Sequence, residues 1–296
     1  MIFTKEIENF LEEDLREEDI SCTLIENKNV DAVIFVKEDC TVSGMEIAAA
    51  ILNYMGISFE QKKDSGEMAK AGDVLFILNG DSVSILRAER LVLNFLSHLS
   101  GIATNAREYV EIITDACRTD TKAGVIRVPR IAATRKTTPG IRKYEKAAVF
   151  DGGGDTHRQN LADTVMIKDN HIAIMGIEKA FAEAKRRASF TKKIEVEADT
   201  KEQALLAAEL GADIILLDNM SVDRIKETID LLTEKGLRNK VILEASGGIR
   251  KENLKNFAKT GVDVISLSAV TNDAAWTDIG LDIVNLRKKT ERKNFK

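Results

Sequence analysis

From residue 106 to residue 275 the chain repeats one rhythm, a short apolar run followed by an amphipathic stretch. The apolar runs fall at 126–134, 164–167, 193–197, 213–217, 241–244 and 262–267, and the amphipathic stretches at 177–188, 201–210, 222–235 and 252–259. Apolar runs joined by helices are the pattern of parallel strands covered by helices. Five of the six runs end in polar or charged residues: Arg135-Lys136, Lys168-Asp169, Glu197, Asp218-Asn219, and Glu244 leading to Ser246-Gly247-Gly248. Polar groups gathered at the C-terminal ends of parallel strands predict an α/β-barrel with its site at that mouth. Six strands make the barrel small or incompletely closed.

The first 105 residues have a different texture. Helical spacing predicts helices over 4–16 and 44–54, strands over 32–37, 57–62 and 73–78, and a strongly apolar, buried helix over 84–100. A separate helix is expected through 106–116. The predicted division is therefore 1–105 and a barrel domain at 106–275, with the 276–296 tail packing back on the first domain. The end of that tail, 282–296, reads as a basic, helix-like segment.

Charge narrows the ligand class. Between Arg118 and Arg158 there are ten cations and four acids, in a protein of formal net charge −5. A locally basic site in an acidic chain points to a specific small anion rather than to nucleic acid or a membrane surface. The three cysteines, Cys22, Cys40 and Cys117, have no metal-ligand spacing and read as reduced thiols of a cytoplasmic protein. The N-terminus runs into acids and is no signal peptide, and no apolar run approaches the ~18 residues that span a bilayer.

The motifs at the strand ends, in order, carry a resemblance. They include Glu89-Arg90, Leu99-Ser100-Gly101-Ile102-Ala103-Thr104, Thr134-Arg135-Lys136-Thr137-Thr138-Pro139-Gly140, Gly152-Gly153-Gly154 and His157-Arg158. They continue with Ile167-Lys168-Asp169-Asn170-His171, Glu195-Val196-Glu197, Leu217-Asp218-Asn219-Met220 and Glu244-Ala245-Ser246-Gly247-Gly248-Ile249. Over nearly its whole length the chain resembles the quinolinate phosphoribosyltransferases, the carboxylating nicotinate-nucleotide pyrophosphorylases of NAD biosynthesis. The resemblance implies an N-terminal α/β sandwich followed by an open six-stranded α/β-barrel. It implies a homodimer, or a hexamer built as a trimer of dimers, in which the sandwich of one subunit covers the barrel mouth of its neighbour. It also implies a pentosyltransferase: quinolinate attacks the anomeric carbon of phosphoribosyl pyrophosphate with Mg²⁺, and loss of CO2 gives nicotinate mononucleotide.

The residue types suit that chemistry. Two carboxylates call for planar, permanently charged donors, for which Arg90, Arg135 and Arg158 are candidates. His157 is a further candidate donor to a carboxylate. Lys136 and Lys168 are compact charges for pyrophosphate and for the negative charge of decarboxylation. Glu197 and Asp218 are hard oxygen ligands for Mg²⁺, directly or through water, and face a cationic sugar. Thr137, Ser246, Gly247, Gly248 and Ser268 are candidates for phosphate contacts, with Ser246-Gly247-Gly248 expected to open a helix. Asp163 and Asn170 are expected behind the site, His171 at a helix start, and His98 at a packing or subunit interface.

Some positions depart from the family pattern. Ala133 stands where Asp precedes Thr-Arg-Lys, Thr156 and Asn160 depart around His157-Arg158, Ser268 replaces Gly, and Thr271-Asn272-Asp273 replaces Thr-His-Ser. Two other activities fit part of the pattern: a related protein of the molybdate-transport-associated type with a different acceptor, and a barrel lyase using Lys168 as a Schiff-base nucleophile. A catalytically dead homologue is disfavoured by the complete set of acids and bases.

Overall fold

The computed structural model describes residues 2–118 and 127–284, which divide into two compact units. One unit ends at Asn105 and resumes at Ala274, and the other is Ala106–Asp273. In the first unit, α1 (Thr4–Leu15) precedes β1 (Asn29–Val36), β2 (Cys40–Thr41), α2 (Met45–Tyr54), β3 (Ser58–Gln61), β4 (Met68–Ala69) and β5 (Val74–Asp81). The helix α3 (Ser82–Arg118) follows and runs on into the second unit. Here the sequence expectation of two helices fails: 37 residues form one helix, unbroken at Gly101.

The second unit continues with β6 (Arg130–Ala132), α4 (Arg142–Asp151), β7 (Val165–Ile167), α5 (Asp169–Met175), α6 (Ile177–Arg187) and β8 (Ile194–Ala198). It is completed by α7 (Lys201–Leu210), β9 (Ile214–Asp218), α8 (Val222–Glu234), β10 (Ile242–Ser246), α9 (Lys251–Ala258), β11 (Val264–Ser266) and α10 (Ala269–Asn272). The last described strand, β12 (Ile279–Val284), belongs to the first unit and pairs antiparallel with β1, Val36 opposite Ile279. The helix expected from 282 onward is therefore a strand as far as Val284, because alternate residues complete the edge of a sheet ordered β12-β1-β5-β3. Residues 285–296 lie outside the described ones.

The six strands of the second unit form one sheet of order β6-β11-β10-β9-β8-β7, with neighbouring strands parallel. Its first and last members, β6 and β7, are sequence neighbours that do not pair, so the barrel is open between them. Local chemistry sets the helix boundaries: the Thr200 and Ser221 side chains accept the Gln203 and Arg224 amides at the starts of α7 and α8. Such caps contribute about 1 kcal/mol each. Small buried residues, Ala204, Ala207 and Ala208, line α7. All five residues of β8 are buried, including two glutamates.

Candidate active site

Register decides which side chains share the barrel interior. Parallel partners point the same way, and alternate residues of a strand share a face. Asp218, Ser246, Ser266 and Ala132 occupy one row across β9, β10, β11 and β6. Glu197, Leu216 and Glu244 form the row beneath it. All of these but Ala132 line a cavity of about 620 Å³ at the C-terminal ends of the strands.

The loop after β6 brings Arg135 and Lys136 to this cavity, and the loop before β7 brings His157 and Arg158. Arg135 is half-buried, and its Nε is buried with no hydrogen-bond partner. Arg158 donates from Nη2 to the Met166 sulfur at 3.1 Å. Burial, and then the positive charge of Arg135, hold the Arg158 guanidinium below its ordinary pKa. Two guanidiniums thus face one space with no ion pair to either among the described residues. That arrangement is costly without an anion between them. Lys136 lines the same wall and is exposed. Thr137 is turned away, accepting a hydrogen bond from Arg142 Nε at 3.0 Å.

Lys168 stands at the end of β7, its Nζ 2.6 Å from Glu197 Oε2. Asp218, at the end of β9, accepts from the Asn219 side chain at 2.6 Å. Burial raises the Asp218 carboxyl above its ordinary pKa, and the charge of Glu197 adds to the rise. Two neighbouring acids that offer hard oxygen atoms suit a divalent cation. At the next strand end, Gly247 and Gly248 both have left-handed backbones, φ 90° and 63°. A Cβ on Gly247 would lie 2.2 Å from Asn219 Oδ1, so glycine is required there. Successive backbone amides in a turn of this kind can form an anion-binding concavity. The helix α9 begins only at Lys251, so this concavity precedes the helix that the sequence placed directly behind it. Ser268 also lines the cavity, with an ordinary right-handed backbone, φ −76°.

The remaining candidates play local roles. His171 Nδ1 accepts the Lys168 amide at 3.0 Å at the start of α5, and Asp163 accepts the Gln159 and Asn160 amides. Asn170 is exposed. His98 is half-buried, its ring 5.3 Å from Trp276. Arg90 lies on an exposed part of α3 in the first unit and does not line the barrel cavity. The sequence reading gave no role to Lys146, Glu195, Glu244 or Ser266, which are all buried around this cavity. The signal that was available is acids at alternate, inward positions of otherwise apolar strands.

Models of two domains together match almost all of the chain. "Quinolinate phosphoribosyl transferase, N-terminal domain" matches residues 19–100, and the corresponding C-terminal domain matches residues 102–282. The chain belongs to the quinolinate phosphoribosyl transferase family. Among its relatives, the probable carboxylating nicotinate-nucleotide pyrophosphorylase of Methanothermobacter thermautotrophicus is 43% identical, covering 95% of this chain and 99% of its own length. The Rattus norvegicus nicotinate-nucleotide pyrophosphorylase is 36% identical over 85% of this chain and 81% of its own. The solved structure of the Francisella tularensis nicotinate-nucleotide pyrophosphorylase has a TM-score of 0.85 at 34% identity, covering 95% of each chain. Both domains of the family are thus present in one chain, and its open six-stranded parallel sheet agrees with the fold the resemblance implied.

Proposed function

We propose that this chain transfers the phosphoribosyl group of phosphoribosyl pyrophosphate to quinolinate, with decarboxylation, giving nicotinate mononucleotide, CO2 and pyrophosphate. Within the family, the observation that carries the choice of acceptor is the pair Arg135 and Arg158. Both guanidiniums face the barrel cavity, and among the described residues neither has a carboxylate partner. A dianionic acceptor supplies those partners, and each guanidinium offers a planar fork to one carboxylate. Arg90 is proposed to reach the acceptor from a neighbouring subunit of a dimer or hexamer, on the strength of the resemblance. The chain is proposed to work in the cytoplasm. No helix among the described residues is long and apolar enough to cross a membrane.

Lys168 is placed to stabilise the negative charge left on the ring as CO2 departs, and Glu197 holds that ammonium in position at 2.6 Å. An ammonium held on a carboxylate is a poor nucleophile, which disfavours the Schiff-base lyase. Glu197 and Asp218 face the developing cationic sugar, and together they would hold Mg²⁺, directly or through water. The ion would supply charge neutralisation for the departing pyrophosphate. Lys136 contributes a further cation at the same mouth, and Thr137 supports its loop. The amides after Ser246, with Gly247, Gly248 and Ser268, receive the phosphate of the sugar. The His157 Nε2–H is already directed to Glu244, so a contact from it to quinolinate would require that bond to open.

Incubation with quinolinate, phosphoribosyl pyrophosphate and Mg²⁺ tests the proposal by chromatography. Nicotinate mononucleotide should form only with all three present. Its absence in the complete mixture would overturn the proposal.

A further inference from the structure

His157 occupies a left-handed backbone conformation, φ 51°, which costs energy for a residue with a side chain. Several buried groups hold it there. Asp155 Oδ1 accepts the His157 amide at 2.8 Å. Lys146, fully buried, donates from Nζ to the carbonyls of Thr156 at 2.5 Å and of Arg158 at 2.7 Å. The ring is then used at both ends. Nδ1 accepts the Arg158 backbone amide at 2.8 Å, and Nε2 lies 3.0 Å from Glu244 Oε2. The other oxygen of Glu244 accepts the Ser266 hydroxyl at 2.5 Å.

These bonds specify the tautomer. An Nδ1 that accepts an amide carries no proton, so the ring proton is on Nε2 and points at Glu244. Neither nitrogen is left to ligate a substrate. What the ring does hold is the amide of Arg158, whose guanidinium faces the cavity. Glu244 and Ser266 sit on β10 and β11, the rigid floor of the barrel.

Resting on the proposed function, we infer that Ser266, Glu244 and His157 form a positioning chain that aims Arg158 at an acceptor carboxylate. Glu244 and Ser266 are positioning residues for the quinolinate subsite, and His157 acts through the Arg158 backbone rather than by touching substrate. A guanidinium displaced by about 1 Å loses its bidentate fit, an effect worth up to about 100-fold. The contacts proposed for the sugar phosphate, Ser246 to Gly248 and Ser268, follow Glu244 and Ser266 along the same strands, but they do not pass through the Arg158 backbone.

Two measurements test this. Long-range ¹H–¹⁵N correlation on histidine-labelled protein without substrate reads the tautomer directly, and the chain has only three histidines to assign. Burial opposes a charge on the ring, but Glu244 outweighs it and raises its pKa. The spectrum is therefore taken at a pH above that value, where the His157 ring should be neutral with its proton on Nε2, in the wild type and in Glu244→Gln. A proton on Nδ1 would overturn the chain. Steady-state kinetics then separate the subsites. Glu244→Ala and the milder Ser266→Ala should raise the quinolinate KM, by about 10- to 100-fold for Glu244→Ala, with the phosphoribosyl pyrophosphate KM within about 3-fold of wild type. Glu244→Gln should recover most of the quinolinate KM, because the amide oxygen accepts from Nε2 and the amide nitrogen donates to Ser266. Should Glu244→Ala fail to fold, Ser266→Ala and Glu244→Gln still decide. Wild-type turnover with a quinolinate KM unmoved by Ser266→Ala, or Glu244→Gln raising both KM values equally, would overturn the positioning chain alone. Failure of the wild type to use quinolinate would instead overturn the functional reading beneath it.

Discussion

Both carboxylate oxygens of Glu195 are buried without a hydrogen-bond partner, directly below the acids and cations of the cavity. Burial, and then the charge of Glu244, raise its carboxyl from 4.5 to about 7. In the unfolded chain the same group ionises in the ordinary carboxylate range. Between that range and about 7 the folded state keeps a proton that the unfolded state has released. Stability therefore falls as pH rises through this window, and stays lower above it. Glu195→Gln removes the penalty. The variant should melt above wild type at about pH 8, by the equivalent of ~1–3 kcal/mol, and lose that advantage at about pH 5. An equal offset at both pH values would contradict this account of Glu195. The sequence made Glu197 and Glu244 visible as polar ends of apolar runs, whereas Glu195 lies inside its run. Their roles depend on which strands neighbour one another, and no local pattern carries that information.

At the scale of elements, α3 shows where propensity misleads. A glycine followed by Thr104-Asn105 reads as a break, yet a glycine inside a helix costs only about 1 kcal/mol. Burial of Leu96, Leu99, Ile102, Ala103 and Ala106 outweighs that cost. Gly101 is there for space: a Cβ would lie 1.9 Å from the Ala275 carbonyl oxygen, within the first unit. Helix propensity alone says Gly101→Ala stabilises. The packing says it destabilises by about 1–3 kcal/mol or more, and a thermal melt gives the sign. A higher melting temperature would contradict the close approach. The six barrel strands were legible because strands buried on both faces read as continuous apolar runs. The strand β12 was not, because basic residues follow it and its partner, β1, lies some 240 residues away.

At the scale of the whole molecule, the proposed shared site makes a test of complementation. Arg90→Ala and Lys136→Ala alter different units of the chain. If each site draws Arg90 from a neighbouring subunit, mixed dimers of the two inactive variants contain one intact site. Random co-refolding should then restore about a quarter of wild-type activity. An inactive mixture that contains heterodimers by mass spectrometry would contradict a shared site. The central claim, however, is the acceptor, and it rests on Arg135 and Arg158 facing one cavity without carboxylate partners among the described residues. The most direct measurement is kcat/KM for quinolinate against nicotinate, with the same phosphoribosyl pyrophosphate and Mg²⁺. Losing the second carboxylate leaves a half-buried cation unpaired and should cost about 3 kcal/mol, about 100-fold in favour of quinolinate. Equal use of the two acids would contradict the account.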